Sequence, residues 1–325
     1  MVIHKVGEDL RGTLLSNPGK VVVLEKGTHV VRSNRGSAVA NLYSGMSLTA
    51  EPGARVVIQG DGGFLVGVET ERISISNLNV SFERWDGKVN NYQTAIELRG
   101  CRDVDIRNCS FNGIGGMGIK LCARSGRRAD GSRFDELGDD RWRTTHVTIA
   151  DCQFNGISGA AIGCKPGGAS YVDILRCRIE RFGSYGLCLE GDAGNGPLGM
   201  CSHVAVTGCE IKNGSPALFF GDGNDSAYGI YIGEDAHKIE VNHCTIDDIN
   251  AKNRAIGICV ATSKSQGDRP VSNVSVRSST VRAPIAVLQW MGAMGDRGMI
   301  GVDIDQTSNL LTSTSAGRKP IEVWR

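Results

Sequence analysis

The sequence is poor in several things, and each shortage removes a class of protein. It has only 8 prolines in 325 residues, so its 44 glycines do not belong to collagen or to a Pro/Gly linker. Lysine plus arginine number 36 against 35 acidic residues, a formal charge of +1, and no basic block stands out. Nucleic-acid binding rests on neutralising phosphates, so no nucleic-acid partner is expected. Aromatic residues are 6%, which leaves few stacking platforms for single strands. No apolar run approaches the roughly 20 residues of a membrane span, so no membrane partner is expected. Met1-Val-Ile-His-Lys-Val shows no charged segment leading into an apolar one, hence no visible signal peptide. Hydrophobic residues at 40% are ample for a core and exclude bulk disorder.

What is present is a repeat. VDIRNCSF (104–111), VTIADCQF (147–154), VDILRCRI (172–179), VAVTGCEI (204–211), IEVNHCTI (239–246) and VSVRSSTV (274–281) share the form apolar-x-apolar-x-x-Cys-x-apolar, and ISISNLNV (73–80) is a weaker copy. A second short element recurs as AIEL (95–98), GIKL (118–121), AIGC (161–164), GLCL (186–189), GIYI (229–232) and AIGI (255–258). Strict alternation within each is the strand period. Short Val/Ile-rich strands at regular spacing, with Gly and Asn between them, predict stacked coils of parallel strands. Stacking makes ladders of like residues. Leu78, Cys109, Cys152, Cys177, Cys209, Cys244 and Ser279 form one inward column, while Asn112 and Asn155 sit where a turn favours left-handed backbone.

The expectation is an all-β, single-domain solenoid. Residues 1–20 form an N-terminal cap with a short amphipathic helix over 7–16. Coils fill 21–281, with long loops at 122–146, 190–203, 212–229 and 259–273. Residues 282–325 add a last coil and a closing segment, PIEVWR.

This pattern resembles the right-handed parallel β-helix superfamily, which includes pectate lyases, polygalacturonases, alginate epimerases and phage tailspikes. The resemblance spans nearly the whole chain and implies the fold; one scaffold hosts many chemistries. VNHCT (241–245) is similar to the WIDHCT segment of pectate lyases, where the Asp binds calcium. Here that position is Asn242, a weaker calcium ligand. The RxPxxR, DPHD and His-Gly motifs of the superfamily's better-known enzymes are missing. GDGND (221–225) has the composition of a calcium loop but reads first as a turn, so no cofactor is expected beyond that one calcium candidate.

The eleven cysteines include no CxxC pair and no zinc-like spacing. They read as small buried hydrophobes and free thiols, with Cys188 outward and the most exposed.

Connections between each second element and the next repeat run to 25, 7, 14, 6 and 15 residues. Long loops around short ones suggest walls around a floor, expected on the strands that follow them. Outward positions there are read by alternation. Asp173 and Glu240 fall two coils apart, roughly 9–10 Å at 4.8 Å per coil, near the upper end for an inverting glycosidase pair. With Glu190 they are the candidate carboxylates of a hydrolase. Arg176, His243 and Lys165 are candidate bases of a lyase. Asp192, Arg178, Asp139, Asp140 and Trp142 are candidate sugar contacts, an acidic pair beside an aromatic ring. Taken singly, each of these charges also suits a plain solvated surface.

Three functions are therefore open: an enzyme cleaving a polysaccharide by hydrolysis or elimination, a glycan-binding or structural spike, and an enzyme acting on a small sugar. The partner expected is a polysaccharide or oligosaccharide. A spike would be a homotrimer. With no leader visible, the expected location is the cytoplasm or a phage virion.

Overall fold

A computed structural model describes residues 1–83, 90, 92–124, 142–164, 167–191, 200–216, 226–262, 270–291 and 299–324. Its strands form three parallel sheets of eleven, ten and ten strands, here called A, B and C. Each coil contributes one strand to each sheet, as in Arg102–Arg107 (A), Ser110–Ile114 (B) and Met117–Cys122 (C).

The repeat motif accounts for this geometry. Its two apolar positions enter sheet A facing inward, so Val104, Val147, Val172, Val204, Ile239 and Val274 align strand to strand. The cysteine marks the bend, and the closing apolar residue enters sheet B. Phe111 and Phe154 stack there with ring centroids 5.1 Å apart, both fully buried. Ile119, Ile162, Leu187, Ile230, Ile258 and Val287 line sheet C's inner face. Neighbouring coils are joined by parallel strand pairing, and one continuous apolar core runs inside.

The bend from A to B recurs in one form. Asn77, Asn108, Asp151, Arg176, Gly208, His243 and Ser278 occupy it, all with φ between 50° and 66°. Left-handed backbone is costly for residues other than glycine. Here the stacked coils above and below fix each bend. A second left-handed column crosses sheet A at Asp103, His146, Tyr171, His203, Lys238 and Asn273. In sheet B a left-handed column runs through Gly113, Gly156, Arg181, Asn213 and Asp248, the first two one place after Asn112 and Asn155.

The cap helix, α1, spans Leu10–Ser16. Asp9 caps it by accepting from the Arg11 and Gly12 amides, and Leu10 and Leu14 plug the first coil. At the other end, Ile321–Trp324 is the edge strand of sheet C and pairs with Ile285–Trp290.

All eleven cysteines are free and buried. Cys188 corrects the expectation of an exposed thiol. It does face away from the coil interior, yet it is 0% exposed, between Tyr231, with which it pairs, and Glu190, to which its thiol donates.

Candidate active face

The chain's insertions attach to one sheet. From A to B the connection is two residues in each repeat coil, as at Asn108–Cys109 and His243–Cys244. The long connections lie instead from C to A (Cys122 to Thr144, Glu190 to Cys201, Ala261 to Val271, Trp290 to Met299) and from B to C (Phe82 to Thr94, Gly214 to Ser226). Both ends of sheet C's strands therefore carry the insertions. The connections from C to A also border sheet A, where the sequence predicts the floor; only sheet C meets both sets. The corner is fixed by Arg143, which is buried and donates to the Met200 carbonyl at 2.8 Å and to Ser202 Oγ at 3.1 Å.

The outer face of sheet C is graded along the solenoid. At the N-terminal end, Glu97 sits between Lys120 Nζ at 2.8 Å and Arg99 Nη2 at 2.9 Å. Burial disfavours its charge, but the hydrogen bonds from Arg99 and Lys120 outweigh burial and hold its carboxyl below the usual range. These three residues line a cavity of about 460 Å³ with Tyr92 and Thr94. The middle carries the small residues Gly163 and Ala160, both buried.

The C-terminal half is aromatic. Tyr185 and Tyr228 stack at 5.4 Å, and Tyr231 meets them at 5.5 and 5.3 Å. Ile256, Cys259 and Leu288 pack with this cluster, which Trp290 and Trp324 adjoin. Arg254 lies 4.9 Å from the Trp290 ring and 5.7 Å from that of Trp324. Glu190 ends the strand Tyr185–Glu190, only 9% exposed, and accepts from Cys188 Sγ at 3.5 Å. Burial first, then the Glu190 charge among other neighbours, raises the Tyr231 phenol above its usual range. One coil on, Glu234 follows the aligned Gly233, and its carbonyl accepts from the Gly191 amide at 2.5 Å.

The other predicted residues are distributed over the remaining sheets. Asp173, Ala205 and Glu240 are aligned on the outer face of sheet A, with Asp303 two strands further on. Glu240 lines a groove of about 480 Å³ with His203, Lys238, Asn273 and Asp303. Beside it the rings of His146, Tyr171, His203 and His237 follow one another at 5.0, 4.5 and 6.1 Å. Arg176 and His243 sit at A-to-B bends, and Arg176 is bound to Asp151 through two nitrogens at 2.7 Å. Arg178 belongs to sheet B, 3.5 Å from Glu180 and 3.8 Å from Glu210. Trp142 is half-buried at the entry to sheet A. Asp139, Asp140, Lys165, Asp192 and the GDGND turn lie outside the described residues. The structure thus groups Asp173 with Glu240 and sets Glu190 on a different sheet. Among the described residues, no cluster of three or more His, Cys, Asp or Glu side chains could hold a metal ion. No helix among them is long and apolar enough to cross a membrane.

Sequence reasoning did not single out Tyr185, Tyr228, Tyr231, Glu234, Arg254, Trp290 and Trp324. A signal for the first three was available: Tyr185 precedes GLCL, and Tyr228 and Tyr231 flank and interrupt GIYI, at outward positions of the second repeat element.

Comparison with known proteins is consistent with this architecture. The model for the right-handed β-helix region matches residues 55–281. No curated protein matches the chain. Among solved structures, a 1,3-α-1,4-β-D-galactose-4-sulfate 3,6-anhydro-D-galactose-2-sulfate 4-galactohydrolase is similar with a TM-score of 0.56 at 11% identity, over 95% of this chain and 86% of that one. A rhamnogalacturonan lyase follows at 0.48 and 11%, over 96% and 87%. PfbA, a surface adhesin of Streptococcus pneumoniae, is similar at 0.42 and 12%, over 91% and 85%. At such identities the likeness is one of fold. Since the matched residues make up well over half of the sequence, the chain belongs to the right-handed β-helix family.

Proposed function

We propose that this protein is a carbohydrate-active β-helix that cleaves a polysaccharide on the outer face of sheet C, with Glu190 as its acid/base carboxylate. One observation carries the reading. Glu190 is a nine-tenths buried carboxylate on the sheet whose strands carry insertions at both ends, and Tyr231, which packs with Tyr185 and Tyr228, lies over the Gly233 that pairs with it. A sugar site needs acid/base groups next to flat apolar surfaces, and this face supplies both. Glu234, one coil away, is the natural partner. In a hydrolysis, the acid form of one carboxyl protonates the departing glycosidic oxygen, and the other carboxylate takes a proton from the attacking water or attacks the sugar itself. In an elimination, a base would instead remove a proton next to a uronate carboxyl, and Tyr231 would protonate the leaving oxygen. Binding without turnover is the competing reading. In its spike form it calls for a trimer and a virion, and light scattering tests the trimer.

The test is turnover on a panel of acidic and neutral polysaccharides, reading new reducing ends and unsaturated-product absorbance together. Reducing ends alone mark a hydrolase, and both signals mark a lyase. Glu190→Gln is expected to lose about 100-fold or more of the activity, while the Asp173→Asn/Glu240→Gln double variant keeps it. The opposite result would return the site to sheet A. Turnover of free oligosaccharides with none of polymer would favour a small-sugar enzyme.

A further inference from the structure

Under α1, two imidazoles share one buried space. His4 ends the strand Val2–His4 and is 1% exposed; His29, on Gly27–Ser33, is 2% exposed. Their ring centroids are 5.2 Å apart. His4 Nδ1 lies 2.9 Å from Thr13 Oγ1 on α1, and His29 Nε2 lies 2.9 Å from the Glu25 carbonyl. The second nitrogen of each ring, His4 Nε2 and His29 Nδ1, is buried with no hydrogen-bond partner among the described residues.

A neutral imidazole leaves one ring nitrogen without a proton, and a buried one without a donor is tolerated at modest cost. An imidazolium carries protons on both nitrogens and needs acceptors for both. Neither ring has a second acceptor here, and each stands in the other's field. The remaining groups facing His4 are acidic: Glu8 Oε2 at 3.6 Å from Nδ1, Asp9 at the helix N-cap, and Glu25 before the second strand of the cap. Burial first, and His29 second, outweigh these three carboxylates and keep His4 below the ordinary histidine range.

We propose that the N-terminal cap is acid-released: protonation at the His4–His29 pair detaches α1 and the strand Val2–His4 from the first coil while the central coils stay folded. The sign follows from proton uptake. In the detached cap, His4 titrates near its ordinary value, about 6.5. In the attached cap it titrates lower, so detachment binds a proton. The pair's contribution is complete above the ordinary value and falls as pH drops below it. Release bares Leu10, Leu14 and the edge of the strand Val21–Leu24, all now covered.

Hydrogen exchange read by mass spectrometry on the full chain tests this at pH 7.5 and 5.5, corrected for intrinsic rates. Both pH values lie above the ordinary carboxylate values of about 4, and the interval between them spans the ordinary histidine value of about 6.5. Peptides from 2–24 are expected to lose protection by up to about tenfold per pH unit below the histidine range. Peptides from 102–122 are expected to be unchanged. His4→Gln is expected to abolish the pH dependence in 2–24. Protection there that ignores pH, or that falls equally along the coils, overturns the proposal. If His4→Gln leaves the cap open at both pH values, a nuclear magnetic resonance titration of the unaltered protein decides. A His4 midpoint below the ordinary value supports release, and one at or above it overturns the idea.

Discussion

The Tyr231 ring lies so close over Gly233 that a β-carbon at 233 would come within 2.3 Å of the ring and 2.9 Å of its hydroxyl. Gly233 pairs across the sheet with Glu190. The missing side chain is therefore what lets a tyrosine lie flat beside the buried carboxylate.

Gly233→Ala is expected to push Tyr231 off the sheet. Overpacking of this kind costs about 1–3 kcal/mol. Thermal unfolding would show that loss, while turnover, if Glu190 is the acid/base group, would fall further than stability alone explains. A variant that unfolds as the parent does and keeps its tyrosines in place would show that the ring has room to move.

The thiols give a second expectation. Burial pushes Cys122 and Cys259 up to about 12. All eleven cysteines are buried. Only the thiolate reacts readily, so a thiol reagent at pH 8 is expected to label none in the native protein and all eleven after denaturation. Fast labelling of Cys188 in the folded state would contradict its burial on the outer side of sheet C.

A third prediction concerns the last rungs of the cysteine column. Asn309 takes the place of a ladder residue and is 7% exposed. Its Oδ1 accepts from the Ser279 amide at 3.0 Å, and its Nδ2 donates to the Val276 carbonyl at 2.7 Å. Asn309→Leu strips both bonds and leaves those backbone groups buried without partners. The expected cost is about 1–3 kcal/mol for each group left unsatisfied. Denaturant unfolding measures it, and a change under about 0.5 kcal/mol, the size of an ordinary surface substitution, would mean that water replaces the amide.

Much of the coil was legible in the sequence. The column Cys109, Cys152, Cys177, Cys209, Cys244 and Ser279 could be aligned by eye, because identical environments recur at identical places in each repeat. The outward alignment of Asp173 with Glu240 followed from the same register, and the structure reproduces it through Ala205. Burial on the outer side was not legible. Alternation marks a side chain as leaving the coil interior, as it does Cys188, but says nothing of what the chain later lays over it.

Sequence alone thus determined the solenoid, its inward columns and the short helix at its start, since those depend on contacts between equivalent positions of neighbouring repeats. The working face proposed here rests on the tertiary structure instead. The strand Tyr185–Glu190 pairs with Ser226–Gly233, and only that pairing sets Glu190 against Gly233 and brings in Tyr231. Those residues are about 40 apart in the chain. They meet because each coil closes a turn before the next is laid upon it, and the separation that this bridges varies with every loop.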